Sequence, residues 1–449
     1  MPVVSQELAL FKETYPKSLV YWQKSLEYHP GGICHNIRRF GMSDLGLGPV
    51  VIKGGKGAYL TSVDEIDLLD YWMGHYSLIL GHSYQKIVDA LKEQVIIGTL
   101  LGTLNPYQLD LAKLIIEATP GIEKLRFCTT GTEATMYAIR LARAYTGRTK
   151  ILKVKGGWHG GNDSGVFTAV QFPFDQSEST GLVDGKDILT IDWNDSETAT
   201  KIIKQHHQEL AAVIIEPVLG AGGALPPSEG FLEGLREETE KYGSLLIFDE
   251  VITGFRLSYH SAQGYFGVTP DLTTLGKIVG GGMPIGVIGG KKEVLDLAEP
   301  NRANKVWIGG GTFSAHPMSM VAGRTCLEEL KKKPEIYKKL ENEGNKLRAQ
   351  INDILERNRF PALATGIHSF TQIHHLTKEL SPGSLNATNL SQYHNKKAET
   401  LFHLILFNRK IHAFHGLGAL SIAHQSEDIN KTLIAIEEAI KLVSRTSNN

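Results

Sequence analysis

The sequence is short of three things, and each shortage excludes a class of protein. Only three cysteines occur, Cys34, Cys128 and Cys326, far apart and without a Cys-x-x-Cys pair. That argues against a disulfide framework or a zinc site and leaves three ordinary buried thiols as the simpler reading. No charge of one sign dominates: 47 Lys plus Arg stand against 48 Asp plus Glu. The basic excess of a nucleic-acid or anionic-membrane binder is therefore missing. No apolar run reaches the roughly 18 residues of a membrane span, and the opening stretch MPVVSQELALFKETYP has no basic segment leading into an apolar one. Small-molecule chemistry in a reducing cytoplasm is the expectation, with neither nucleic acid nor membrane as partner.

The 449 residues are 42% hydrophobic, enough to bury a large core in two or three domains. From about 105 to 325, short apolar runs at 151–154, 211–215, 245–248 and 285–288 alternate with amphipathic stretches, the pattern of a helix-covered parallel sheet. Within 133–145, Ala134, Tyr137, Ala138, Leu141, Ala142 and Tyr145 recur at spacings of three and four, so a helix starts just after the Thr-Gly-Thr turn at 130–132. Beyond about 325, charge-rich helical sequence leads to short strands and a final amphipathic helix at 428–443, a smaller α+β domain. The first 70 or so residues hold too little apolar sequence for a core of their own. The expected division is 1–75, packing with the small domain, then 76–325 as the large domain and 326–449 as the small one. Residues 381–391, polar with Pro382 and Gly383, read as a surface loop.

Four segments carry chemistry. Lys277 lies in Leu275-Gly276-Lys277 before Gly280-Gly281-Gly282-Met283-Pro284, small residues among which a flat ligand can approach the backbone, although a glycine turn after a helix explains them equally. Asp249 closes the apolar run ending Phe248-Asp249-Glu250-Val251. That puts a carboxylate at the carboxyl end of a buried strand, where open α/β sheets place ligand-contacting groups. A protonated pyridine nitrogen would satisfy it and remain an electron sink; a helix cap is the plain alternative. Thr129-Thr130-Gly131-Thr132 offers helix N-terminal amides to a phosphate, or is merely a cap. Trp158, in Gly156-Gly157-Trp158-His159-Gly160, can stack on an aromatic cofactor or belong to the core.

Taken in order, Gly131-Thr132, Trp158-His159, Asp249, Lys277 and Gly311-Thr312-Phe313 resemble the class III aminotransferases of pyridoxal 5'-phosphate (PLP) fold type I. The resemblance runs from about residue 30 to the C-terminus, with its longest stretches in GTEATMYAIRLARAYTGR at 131–148, FDEVITGFR at 248–256 and LTTLGKIVGGGMPIG at 272–286. It implies an α/β large domain with a mostly parallel seven-stranded sheet flanked by helices, and a smaller α+β domain. It further implies PLP held as a Schiff base on Lys277, with that lysine moving protons as general base and acid. Asp249 would pair with the pyridine nitrogen, Gly131 and Thr132 would hold the phosphate, and Trp158 and Val251 would cover the two ring faces. Beside these stand His159 and Glu216, the latter similar to the family's strand-end glutamate. Thr312 would reach the phosphate of a neighbouring subunit's cofactor, which implies a homodimer.

Within that family the sequence is most similar to the branch containing glutamate-1-semialdehyde 2,1-aminomutase and the β-amino-acid transaminases, through Tyr28-His29-Pro30-Gly31-Gly32 and Leu78-Ile79-Leu80-Gly81-His82. Arg38 falls on the branch's carboxylate-binding arginine, whose planar fork suits a carboxylate; a surface charge is the alternative. Four positions depart from the aminomutase. His35 replaces a serine, His75 a tryptophan at a substrate position, Ala221 an asparagine, and Gly416 stands near the place of an active-site glutamate. These departures favour transamination between a carboxylate-bearing amino acid, possibly a β-amino acid, and a keto acid. The internal amino shift that gives 5-aminolevulinate is the alternative.

A non-catalytic binder of the same fold has no use for both Lys277 and Asp249, and a nicotinamide dehydrogenase needs a glycine fingerprint that is missing in context. His374, His375, His412 and His415 lack a metal site's third ligand in matching spacing. Gly54-Gly55-Lys56-Gly57 lacks the Ser or Thr of a phosphate loop and reads as a hairpin turn. The polar segment 161–183 has the length of a gating loop.

Overall fold

A computed structural model of the chain describes residues 2–39, 42–163, 185–381 and 384–447. Most of the segment expected to gate the site therefore lies outside the described residues. The chain forms two compact units, one of residues 1–84, 342–379 and 393–449, the other of 85–341 and 380–392.

In the first unit, β1 (Ile52–Lys56) and β2 (Tyr59–Ser62) form a hairpin whose turn residue Gly57 has φ 61°. This is the Gly-Gly-Lys-Gly segment, and only a glycine takes that left-handed turn without strain. β3 (Asp67–Asp70) adds antiparallel to β2.

The second unit carries the site. Its sheet contains β4 (Lys124–Cys128), β5 (Lys150–Val154), β6 (Ile188–Ile191), β7 (Leu210–Ile215), β8 (Leu245–Glu250), β9 (Leu272–Gly276) and β10 (Gly286–Gly290). They are ordered β4-β10-β9-β8-β7-β5-β6. Pairings β9-β8, β8-β7, β7-β5 and β5-β6 are parallel, and β10 is antiparallel to both its neighbours. The mostly parallel, seven-stranded expectation is met. The central strands β7 and β8 are buried along their whole length, which is why they read as continuous apolar runs rather than alternating ones.

The helix Gly131–Thr146 packs Ala134, Ala138, Leu141 and Ala142, all fully buried, into the sheet's core cluster. Each large apolar side chain so buried stabilises the fold by roughly 1.5–3 kcal/mol. A capping box starts the helix: Thr130 Oγ1 accepts from the Glu133 amide at 3.2 Å, and Glu133 Oε2 accepts from the Thr130 amide at 3.0 Å. Gly147, left-handed at φ 69°, ends it. β10 can approach the helix start because Gly286 lacks a side chain; a Cβ there would lie 2.1 Å from the Thr130 carbonyl oxygen.

The helix Pro317–Lys332 stays with this larger unit, packing on the helices Gln85–Ile97 and Pro106–Ala118. The chain passes between the compact units at 84/85, 341/342, 379/380 and 392/393, where the sequence pattern suggested divisions at 75/76 and 325/326. Residues 381–391 are not simply a surface loop. They contain most of a short helix, Ala387–Gln392, whose Ala387 and Leu390 are buried. Leu390 occupies the space a side chain on Gly223 would need, and Thr388 Oγ1 donates to Asp192 Oδ1 at 2.7 Å. Cys34 is exposed, not buried, because its segment forms turns and 3₁₀ pieces without an apolar face; Cys128 and Cys326 are buried.

The first unit is completed by β11 (Ala362–Ile367), β12 (Phe370–His375), β13 (Ile411–His412) and β14 (Gly418–Ala419). β13 extends the β1–β3 sheet in parallel with β3, while β11, β12 and β14 form a separate sheet. The amino-terminal helices join this unit through Tyr15, whose hydroxyl donates to the Phe407 carbonyl at 2.7 Å, and through a Glu7–Arg409 ion pair at 3.0 Å.

Candidate active site

Strand ends and one helix start converge on a cleft of ≈ 140 Å³ in the larger unit. It is lined by Gly131, Thr132, Thr135, Trp158, His159, Gly160, Glu216, Asp249, Val251, Ile252 and Lys277. Eight residues singled out from the sequence are thus brought together from five separate segments. The cleft lies at the carboxyl ends of the parallel strands, because β5, β7, β8 and β9 each run into one of those segments.

Asp249, 4% exposed, is held on both oxygens. Its Oδ2 lies 2.8 Å from His159 Nδ1, and Oδ1 accepts from Thr274 Oγ1 and from the Val251 amide, each at 3.1 Å. The carboxylate partner sets the neutral His159 tautomer with its proton on Nδ1. Burial lowers the affinity of His159 for a second proton, against the pull of Asp249. The His159 carbonyl accepts from Thr135 Oγ1 at 2.6 Å, which ties the 156–160 turn to the helix Gly131–Thr146.

Lys277 follows β9 in a left-handed conformation, φ 51°, a strained geometry for a side-chain-bearing residue and a frequent companion of function. Its side chain keeps some exposure to the cleft. Enclosure by protein nevertheless pushes its ammonium down to about 8, against the attraction of Asp249 and Glu216. Glu216 accepts from the Trp158 amide at 3.0 Å and the Gly220 amide at 3.2 Å. Burial, reinforced by Asp249, pushes its carboxyl up to about 8.

At the helix start, Glu133 takes the amides of Thr129 and Thr130. The Gly131 and Thr132 amides then remain, and among the described residues neither has an acceptor, so the turn is open to an anion. A Cβ on Gly131 would lie 2.9 Å from Val251 Cγ2, and one on Gly160 2.5 Å from Thr132 Oγ1. The missing side chains let these segments close around the cleft.

This lining fits PLP. Gly131 and Thr132 suit its phosphate, Asp249 its pyridine nitrogen, the Lys277 amine its carbonyl carbon, and Trp158 and Val251 its ring faces. Thr312 is exposed in a turn and is not among the lining residues. Arg38 and His75 belong to the other unit. Arg38 is exposed on the 3₁₀ turn Asn36–Arg39. His75 sits in a left-handed stretch with Met73, Gly74 and Tyr76 at φ 45°, 59° and 66°, anchored by Asp70, which accepts from the Trp72 and Met73 amides at 2.8 and 2.9 Å. Sequence reasoning missed Thr274, which bonds Asp249; a polar residue inside an apolar strand was the available signal.

Residues 44–363 match the family described as aminotransferase class-III. The chain is 38% identical, over 96% of its length and 99% of the relative's, to a glutamate-1-semialdehyde 2,1-aminomutase of Bacillus subtilis (strain 168). Among solved structures it superposes with TM-score 0.86 on a β-phenylalanine aminotransferase from Variovorax paradoxus, at 31% identity over 98% of this chain and 97% of that one. It also shares its fold with a glutamate-1-semialdehyde aminomutase from Pseudomonas aeruginosa PAO1, TM-score 0.86 at 23% identity, with 98% of each chain covered.

Proposed function

The chain belongs to the class-III aminotransferase family, enzymes that work with PLP, and on that premise we propose that it moves an amino group on a small carboxylate-bearing substrate in the manner of a glutamate-1-semialdehyde 2,1-aminomutase. The observation that carries the substrate reading is near-full-length relatedness to such an aminomutase. It outweighs the four pocket substitutions that favoured transamination between separate molecules. Those substitutions, with the 31% identity to a β-phenylalanine aminotransferase, support intermolecular transamination as the second reading.

When bound, PLP supplies an electron sink for the carbon that bears the amine. Lys277 would hold the cofactor through its amine, and the same amine would carry a proton on and off the substrate carbon. An amine pushed down to about 8 gives up its proton more readily than an ordinary lysine, which suits it to general base and acid work. Asp249, braced by His159, Thr274 and the Val251 amide, keeps the pyridine nitrogen protonated. Gly131 and Thr132 bind the phosphate, and Trp158 and Val251 confine the ring. By the family resemblance, Arg38 would take a substrate carboxylate and His75 would line the substrate side.

The working unit in this reading is a homodimer in the cytoplasm, with Thr312 contributing to the neighbouring subunit's phosphate site. The larger unit exposes Ile96, Ile97, Leu104, Trp307 and Phe313, the last beside Thr312, and a dimer contact through them would take these side chains out of water. Among the described residues no helix is long and apolar enough to cross a membrane.

The test mixes PLP-loaded enzyme with glutamate-1-semialdehyde alone, and separately with α- or β-amino acids without a keto acid acceptor. Many turnovers of semialdehyde to 5-aminolevulinate support the aminomutase. One equivalent of keto acid per site from an amino acid, with no turnover of the semialdehyde, establishes the transaminase instead.

A further inference from the structure

β5 carries a charge where none is expected: Lys153 is 0% exposed, and lysines are almost never fully buried without a partner. Its Nζ donates to the Gly157 carbonyl at 2.8 Å. Gly157 belongs to the tight turn that delivers Trp158 and His159 to the cleft, its amide bonded back to the Val154 carbonyl at 3.1 Å. A Cβ on Gly157 would lie 3.1 Å from His159 Nε2, so the carbonyl that Lys153 grips belongs to the residue against which the imidazole edge rests.

We propose that Lys153 is a positioning residue of the cofactor site: its ammonium braces the Gly156-Gly157 turn and adds its charge to the burial that keeps His159 a neutral imidazole, leaving the full negative charge of Asp249 for the pyridine nitrogen. The inference rests on the PLP reading. A doubly protonated His159 would form an ion pair with Asp249 and compete with the pyridine for that charge. Burial is the main influence that opposes a second proton on His159; among the described residues, the charged groups acting on it are Asp249 from the end of β8, which favours that proton, and Lys153 from β5, which adds to the opposition. Thr135 from the helix and Asn162 are neutral and bond the His159 carbonyl rather than its ring. Lys153 itself is lowered only to about 8, by burial against the attraction of Glu216, and so is mostly charged at neutral pH.

The experiment measures the dissociation constant for PLP from pH 8.5 to 6 in the full-length wild type, Lys153→Met, Lys153→Arg and the double variant Lys153→Met/His159→Gln. The readout is the ratio of variant to wild-type constant at each pH, with thermal unfolding of each apoprotein alongside. For Lys153→Met the expected ratio grows severalfold as pH falls through that range, as a second proton on His159 competes for Asp249. It stays flat for Lys153→Arg, which keeps the charge, and for the double variant, in which residue 159 cannot take a proton. If Met is not tolerated at this site, Lys153→Gln makes the same test. A flat ratio for the uncharged variant, or a slope that persists in the double variant, overturns the proposal while wild-type binding leaves the PLP reading standing. Failure of the wild type to bind PLP at any pH removes both.

Discussion

His159 Nδ1 lies 2.8 Å from Asp249 Oδ2, and both side chains are almost completely buried. The pair joins the turn after β5 to the end of β8, strands separated in the sheet by β7. Asp249→Asn leaves a side chain that can still bond Thr274 but carries no charge for the pyridine nitrogen. The expected loss in kcat/KM is about 10³-fold, about 4 kcal/mol of transition-state stabilisation, with the melting temperature of the apoprotein within a few degrees of wild type. Retention of most activity would remove Asp249 from the electronic role.

Lys277→Ala removes an enclosed amine from a left-handed position, so backbone strain is unchanged and desolvation is relieved. Fold and melting temperature are expected to hold. Borohydride treatment of the PLP-loaded protein, followed by mass spectrometry, attaches cofactor to the wild type and not to the variant. Attachment in the variant would move the covalent link to another lysine.

Thr130→Ala deletes one half of the capping box that begins the helix Gly131–Thr146. The expected cost is about 1 kcal/mol of stability, seen in the urea midpoint. A several-fold rise in the PLP dissociation constant accompanies it, since the cap shapes the turn that leaves the Gly131 and Thr132 amides free. An unchanged dissociation constant would place the phosphate elsewhere.

Arg38→Ala is expected to raise KM for carboxylated substrates at least tenfold and to leave simple amines unaffected. Equal effects on both would show that Arg38 is an exposed surface charge and nothing more.

Acid should destabilise the histidine-rich unit before it affects the larger one. Burial pushes His375 down to about 3 and both His415 and His424 down to about 4, from an ordinary 6.5. Between those values the unfolded chain binds protons that the folded one refuses. Their contribution is therefore fully present above pH 6.5 and is lost as pH falls towards 4, at about 1.4 kcal/mol per pH unit for each imidazole. Asp70, bonded at 2.7 Å by both His82 and His412, is held below the usual carboxylate range because these imidazoles overcome its burial. It adds a loss of the same sign below about pH 4. Urea midpoints measured from pH 8 to 5 test this; a midpoint that rises on acidification contradicts it.

The parallel sheet, the helix after Thr130 and the residues around Asp249 and Lys277 were legible in the amino-acid sequence because each is a local signal. A fully buried strand must be a continuous apolar run, a helix start needs its cap, and a turn that admits a ligand needs glycine. The surface status of Cys34 and the buried helix within 381–391 were not legible, since both depend on what packs against a short segment rather than on its composition.

Within the site, sequence alone determined which groups were present: an amine, a carboxylate, an imidazole and a glycine-opened helix start. Tertiary structure decided which of them act on one another. It set Thr274 and His159 against Asp249, gave Glu216 the Trp158 and Gly220 amides, and buried Lys153 against the turn that carries His159. The pairings of Asp249 with His159 and Thr274, and of Glu216 with Trp158, join segments far apart in the chain, and proton affinities follow burial and neighbouring charge, neither of which exists until the sheet has closed.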